Sequence, residues 1–335
     1  IARDLVMKRT LKNGKSLQFI YTGRTKAEYH TPGTPILGNS DKAPPVAEKT
    51  ITVDDLLISS AFLYELDETL AHYELRGEIS RKIGYALAET YDRKIFRSIT
   101  RGARQVSPVS ATGYTEPGGT QIRLGTATDS SDATNAASLI SGFYDAAAAL
   151  DEKGVSSDGR VAVLNPRQYY ALIQAVGDGG LVNRDVQGAS LQSGQGIVEI
   201  AGIKIYKSMN LPFLGKFGTN SNLPLAGDFV GETMPADEAV TGDNYGSRNN
   251  YGGQVFGKSC GLIFQREAAG VVEAIGPQVQ VTSNDVSVMY QGDLIVGRLA
   301  MGADYLNPAA AVEFVCDVNP TVTSGAVATS GAAAF

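Results

Sequence analysis

From Leu75 an apolar or aromatic residue recurs at every fourth position, through Ile79, Ile83, Leu87, Tyr91, Ile95 and Ile99, the period of an α-helix. Asp67 stands where such a helix would be capped at its start and Gly102 where it would end. A helix over residues 67–101 is about 50 Å long at roughly 1.5 Å per residue, well beyond the usual three or four turns. Each four-residue step overshoots a full turn by about 40°, so the apolar edge migrates most of the way round the rod. A face that rotates along its length must be covered by different neighbours at different levels. Gly77 and Gly84 each cost about 1 kcal/mol relative to Ala in a helix interior, which leads us to expect close packing there.

Ahead of the rod the period changes to two. Residues 16–29 and 50–63 read as strands joined by a Pro/Gly-punctuated stretch that carries Pro32, Gly33, Pro35, Gly38, Pro44 and Pro45. This is an extended hairpin with a long tip. A two-stranded ribbon is marginal in water and has few local residues with which to bury Leu17, Phe19, Tyr21, Ile51 and Val53. It is therefore expected to lie on a neighbouring molecule. Residues 1–13 read as an arm that orders only when docked.

Beyond the rod, a Ser/Thr/Gly-rich crossing over residues 106–131 leads to an Ala-rich helix over residues 133–153. A short buried strand at Val161 to Leu164 follows, then a helix opened by Asn165-Pro166. Residues 197–208 alternate like a strand with a turn at Gly202, and residues 211–250 form a long Gly/Asn/Pro-rich excursion. Strand-like stretches return at residues 262–264, 270–275, 294–299 and 310–315. Residues 319–335 are of low complexity and read as a flexible tail.

The net charge of −6 argues against general attraction to phosphate backbones. The basic cluster Arg93, Lys94, Arg97, Arg101 and Arg104 falls near the rod's C-terminal end, where cations favour the helix dipole, and reads as solvated or dipole-paired. With 43% hydrophobic and 19% charged residues, the composition is that of a soluble globular chain with no bilayer-spanning run. Two cysteines, Cys260 and Cys316, make neither a disulfide framework nor a zinc site, and a reducing environment is expected. No signal-peptide pattern is visible; because the chain starts at Ile1 rather than Met, a preceding stretch is expected to have been removed, cleaved or left out of the sequence.

Three patterns look like chemistry. Residues 252–259 match G-x-x-x-x-G-K-[ST] letter for letter, but a phosphate loop needs a strand before it and a helix starting at the Lys. Here a Gly/Asn/Asp-rich run precedes, and Gly261 and an apolar strand-like run follow. Residues 257–261 match the G-x-S-x-G elbow, yet His30 and His72, the chain's two histidines, both precede Ser259, so a triad of that chain order cannot form. Cys260 reads as buried and inert. No acid/base couple or His-based metal site stands out; no catalytic residue, cofactor or metal is expected.

Five stretches, GKSLQFIYTGRTKAEYHTPG, EKTITVDDLLISSAFLYELDETLAHYELR, LNPRQYYALI, GIVEIAGIKIYKSMNLP and AMGADYLNPAAAVEF, resemble the major capsid proteins of tailed phages, in particular short-tailed T-odd-like (podovirus-type) phages. The resemblance runs from about Gly14 to Val315. It implies an α+β chain with the Hong Kong 97-type capsid fold: N-terminal arm 1–13, extended loop 14–63, peripheral domain with spine helix 64–131, axial α/β domain 132–270, peripheral return strands 271–318 and tail 319–335. It implies a non-enzymatic protein that assembles into hexamers and pentamers of an icosahedral shell around double-stranded DNA, without sequence-specific contacts and with no membrane. Scaffolding protein and portal are the expected assembly partners, the host bacterial cytoplasm the site of assembly, and the virion capsid the final location. Phe19, Tyr21, Arg24, Tyr29, Ile51 and Val53 are the expected assembly contacts. Nothing in the sequence supports the Lys/Asn crosslinking of some members. A cargo-enclosing nanocompartment shell of the same fold is the structural alternative, and a nucleotide hydrolase using Lys258 the enzymatic one.

Overall fold

A computed structural model describes residues 1–23, 29–33, 46–53, 56–64, 66, 70, 75–107, 110–111, 114–124, 136–174, 199–211, 259–281, 290–315 and 326–329. Along them run β1 (Met7–Thr10), β2 (Ser16–Thr22), β3 (Val46–Thr52), β4 (Leu57–Tyr64), helix α1 (Leu75–Ala103), β5 (Ser110–Ala111), β6 (Tyr114–Thr115) and β7 (Thr120–Arg123). There follow α2 (Ala136–Glu152), β8 (Arg160–Leu164), α3 (Pro166–Gln174), β9 (Glu199–Ile200), β10 (Ile203–Lys207), β11 (Ser259–Gln265), β12 (Ala269–Val281), β13 (Gly292–Tyr305), β14 (Ala311–Val315) and β15 (Ala326–Thr329).

The elements stack in five layers. A four-stranded sheet of order β1-β12-β13-β4 carries α1 on one face and the β2-β3 hairpin on the other, and a seven-stranded sheet, β15-β7-β14-β11-β8-β10-β9, lies across α1. Helices α2 and α3 close its far face. Strand alternation sorts the side chains: Val271, Leu299 and Met301 face α1, whereas Val272 and Ala300 face the hairpin.

Helix α1 begins among the described residues at Leu75; Asp67, the expected cap, lies outside them. Burial of its four-residue column grows along the rod, from half-buried Leu75 and Ile79 to fully buried Ile95 and Ile99. The first turns rest on β13 and β4. The last are enclosed by the arm, β11, β12 and β14, as a rotating apolar edge requires. Gly77 and Gly84 do not mark close packing: both are exposed, and a Cβ at Gly84 would meet nothing within 4 Å. The tight approach is at Gly102, where a Cβ would stand 2.8 Å from Tyr305 Cβ.

The strands depart from the sequence reading in three places. The second half of the expected hairpin is two elements: β3 pairs with β2, while β4 leaves it and pairs with β13. The seven-stranded sheet draws on more than residues 132–270, because β14 pairs with its central strand β11 and β7 pairs with β14. Part of the expected flexible tail, Ala326–Thr329, adds in parallel to β7. Low complexity conceals such a strand, since backbone pairing to an open edge needs no distinctive side chain.

Candidate assembly interface

The hairpin was expected to have no partner within its own chain. Instead Phe19, Ile51 and Val53 are buried against Leu11, Val272, Ala300 and Leu306 of the same subunit. The arm and the four-stranded sheet supply the cover that the hairpin's own sequence lacks. Tyr21, on the same side, is half-buried, and Arg24 lies outside the described residues. Lys49 Nζ pairs with Asp304 at 3.0 Å and sits 3.9 Å from the Tyr305 ring centre, and Arg9 lies over the Phe19 ring.

Because successive strand residues point to opposite faces, the hairpin's other side carries Ile20 (75% exposed) and Val46 (61%), and beyond them Tyr29 is fully exposed. Ile20 pairs with Glu48 and Thr22 with Val46. On edge strand β4 the outward positions are Ile58, Phe62 and Tyr64, again exposed. Sequence reasoning missed Ile20, Val46 and Phe62. The signal was available: β2 and β3 carry apolar residues at both phases of the alternation, so one set had to remain uncovered.

The arm is ordered because it docks on its own subunit. β1 adds in parallel to β12, Ala2 and Val6 are buried, and Ala2 N–H donates to Asp92 Oδ1 at 3.0 Å. Buried Glu273 receives Arg3 Nε and Nη2 at 3.0 and 3.1 Å, Lys8 Nζ at 2.7 Å and Tyr91 Oη–H at 2.7 Å. Burial pushes the Glu273 carboxyl up, but the hydrogen bonds from Lys8, Tyr91 and Arg3 outweigh it and hold its pKa below the usual carboxylate value. The same burial, with Glu273 beside it, raises the Tyr91 phenol.

A depressed folded-state pKa contributes stability above the unfolded value of about 4.3, lost as pH falls through the folded value. The arm is therefore expected to loosen in acid, below pH about 4. Hydrogen exchange at Met7–Thr10 should rise there, and Glu273→Gln should make it fast at neutral pH as well. Equal protection at pH 7 and pH 3 would show that Glu273 does not hold the arm.

Much of the basic cluster at the end of α1 is held by partners within the subunit rather than solvated. Arg97 and Arg104 are buried, Arg101 approaches Asp304 at 3.6 Å, and Lys94 Nζ donates to Met301 O at 3.3 Å. Arg104 makes a two-pronged pair with Glu313, at 2.7 Å from Nε and 2.5 Å from Nη2, and Gln121 Nε2 joins at 2.7 Å. Both sheets enclose this half of the helix, so its cations need internal partners. Burial, reinforced by Arg97 and opposed by Asp304, pushes the Lys94 ammonium down to about 7.

Among the described residues the catalytic-looking motifs find no supporting geometry. Ser259 opens strand β11 rather than a helix, so the phosphate-loop pattern lacks its dipole and its cradle of first-turn amides. Residues 252–258, with Lys258, lie outside the described residues, as does His72, while His30 is exposed. Cys260 is buried and disulfide-bonded, not the free thiol expected, and holds no nucleophile. Among the described residues no cluster of metal-ligating side chains occurs, and no helix is long and apolar enough to cross a membrane. One polar group of side chains is unspent: Asn165, Gln168 and Ser259 are buried without hydrogen-bond partners, an arrangement that costs about 1–3 kcal/mol for each unmet group.

An arm, a hairpin laid on a sheet, a long helix clamped between two sheets, and apolar residues turned outward define a subunit of the Hong Kong 97-type capsid fold, a shell-building protein. Residues 18–315 match the family model described as Gp10A-like major capsid protein, and the chain belongs to that family. It is similar to the major capsid protein of Escherichia phage T7, 26% identical over 315 residues that cover 91% of this chain and 83% of that one. The major capsid protein of Enterobacteria phage T3 is 25% identical over the same coverage. Among solved structures, a chain from the capsid of Cyanophage P-SCSP1u matches with TM-score 0.72 at 29% identity, covering 94% of this chain and 87% of that one. A chain from the mature capsid of bacteriophage PhiM1 shares the fold, with TM-score 0.66 at 14% identity over 94% and 86% of the two chains. The protein is thus a structural component of a tailed-phage capsid that assembles with copies of itself, and it is not an enzyme.

Proposed function

We infer that the subunit forms hexameric and pentameric capsomers of an icosahedral shell, and that the outward side of the hairpin supplies a principal contact between copies. The observation that carries this reading is a ribbon apolar on both sides. One side is satisfied within the subunit by Phe19 and Ile51, and the other leaves Ile20 and Val46 in water. Fully burying two such side chains is worth roughly 1.5–3 kcal/mol each, and a shell repeats that gain at every subunit. The arm, the four-stranded sheet and α1 serve as the peripheral domain, and the seven-stranded sheet with α2 and α3 as the axial domain. The acidic balance of the chain suits a wall that contains double-stranded DNA without gripping its sequence. Assembly takes place in the host bacterial cytoplasm with scaffolding protein and portal.

Ile20→Asp combined with Val46→Asp is expected to leave a folded subunit that forms no shells, read by sedimentation and negative-stain imaging. Shells of normal yield from this variant would remove the hairpin's outer side from the interface. Removing Thr31 to Ala47, most of which lies outside the described residues, should give the same assembly defect.

A further inference from the structure

We propose that the subunit binds a small enclosed cluster of structural water at the carboxyl end of the β8/β10 pair, held by Asn165, Gln168 and Ser259. β8 and β10 are parallel and in register at their ends, Leu164 opposite Lys207, and α3 starts immediately after β8. β11 begins at the same edge: Gly261 pairs with Leu164, and Asn165 N–H reaches Cys260 O at 3.4 Å. The carboxyl end of parallel strands, beside the N-terminus of the following helix, is where open α/β sheets hold polar ligands.

Five side-chain atoms at this edge have no hydrogen-bond partner: Oδ1 and Nδ2 of Asn165, Oε1 and Nε2 of Gln168, and Oγ of Ser259. The three residues are 1%, 0% and 0% exposed. Asn165 holds the N-cap position of α3, where a side chain ordinarily accepts from the first free N–H groups, yet it makes no such bond. Native interiors rarely leave polar groups unmet, and here five belong to three residues that strand pairing and the start of α3 bring to one edge of the sheet, beside an apolar core that includes Leu164, Leu172 and Cys260.

The chemistry selects water over an anion or a larger ligand. All three side chains are neutral. The two amides present as many acceptor oxygens as donor nitrogens, and an anion would face those oxygens unfavourably. The burial of all three residues favours a molecule as small as water over a larger ligand. Water donates and accepts at once, and a buried water makes about three hydrogen bonds, so five atoms call for about two molecules.

A map of the assembled shell at a resolution that shows ordered solvent tests this directly. Density within hydrogen-bond distance of at least two of the three side chains is expected. Amides bonded to protein atoms instead, or a dry space, would overturn the proposal. In purified shells, Gln168→Leu and Ser259→Ala should each lower the melting temperature by about 2–4 °C, and the double variant should fall by less than the sum, because both lose the same water. If the groups are dry, apolar replacement raises the melting temperature. A rise, no change, or strictly additive losses would each count against a shared cluster.

Discussion

Gly302→Val is expected to give a soluble subunit with a detached hairpin and no capacity to form shells. Gly302 lies on the hairpin side of β13, and a Cβ there would stand 2.1 Å from the Thr52 carbonyl oxygen and 3.1 Å from Val53 Cα. Both obstacles are backbone, so no side-chain rotation relieves them; the hairpin must lift. Lifting it uncovers Phe19, Ile51 and Val53, at roughly 1.5–3 kcal/mol for each large apolar side chain exposed, and misplaces Ile20 and Val46 on the other side. Hydrogen exchange should show lost protection at Ser16–Thr22 and Val46–Thr52 with α1 still protected, and sedimentation should show no shells. Gly276→Ala provides the control, since a Cβ there meets nothing within 4 Å. Normal assembly by the Gly302 variant would mean that the docked position of the hairpin is not the assembling one.

The second large effect is expected within the core. Arg104→Met should destabilise the subunit by about 3–5 kcal/mol, because Glu313 would be left as a buried charge with one amide for company. For a chain of this size that corresponds to a melting temperature lower by roughly 10 °C. Pairing it with Glu313→Leu should recover most of the loss, since an apolar pair of similar volume replaces a desolvated ion pair at little net cost. A single variant as stable as the parent would show that the Arg104 pair does not tie α1 to β14.

Resemblance to phage capsid proteins, carried by five ordered stretches between Gly14 and Val315, is enough to place the family without any tertiary contact. Local patterns located most elements: the column from Leu75 to Ile99 placed α1, Asn165-Pro166 placed the start of α3, and alternation placed β2 and β10. The residues of the proposed interface were half legible. The alternation of β2 and β3 separates Phe19 and Ile51 from Ile20 and Val46, but not which set meets its own subunit.

The periods, the helix and strand starts, the absence of a workable serine triad and the family are all legible without coordinates, because each rests on local spacing or on the order of motifs. Which hairpin side is covered, that β4 leaves the hairpin for β13, that Arg97 and Arg104 at the end of α1 are buried, and that Gly302 rather than Gly84 is a close approach follow from the fold in three dimensions. Those outcomes depend on which segments distant in the chain become neighbours. A strand's alternation is symmetric between its two faces until a sheet such as β12-β13 is laid against one of them.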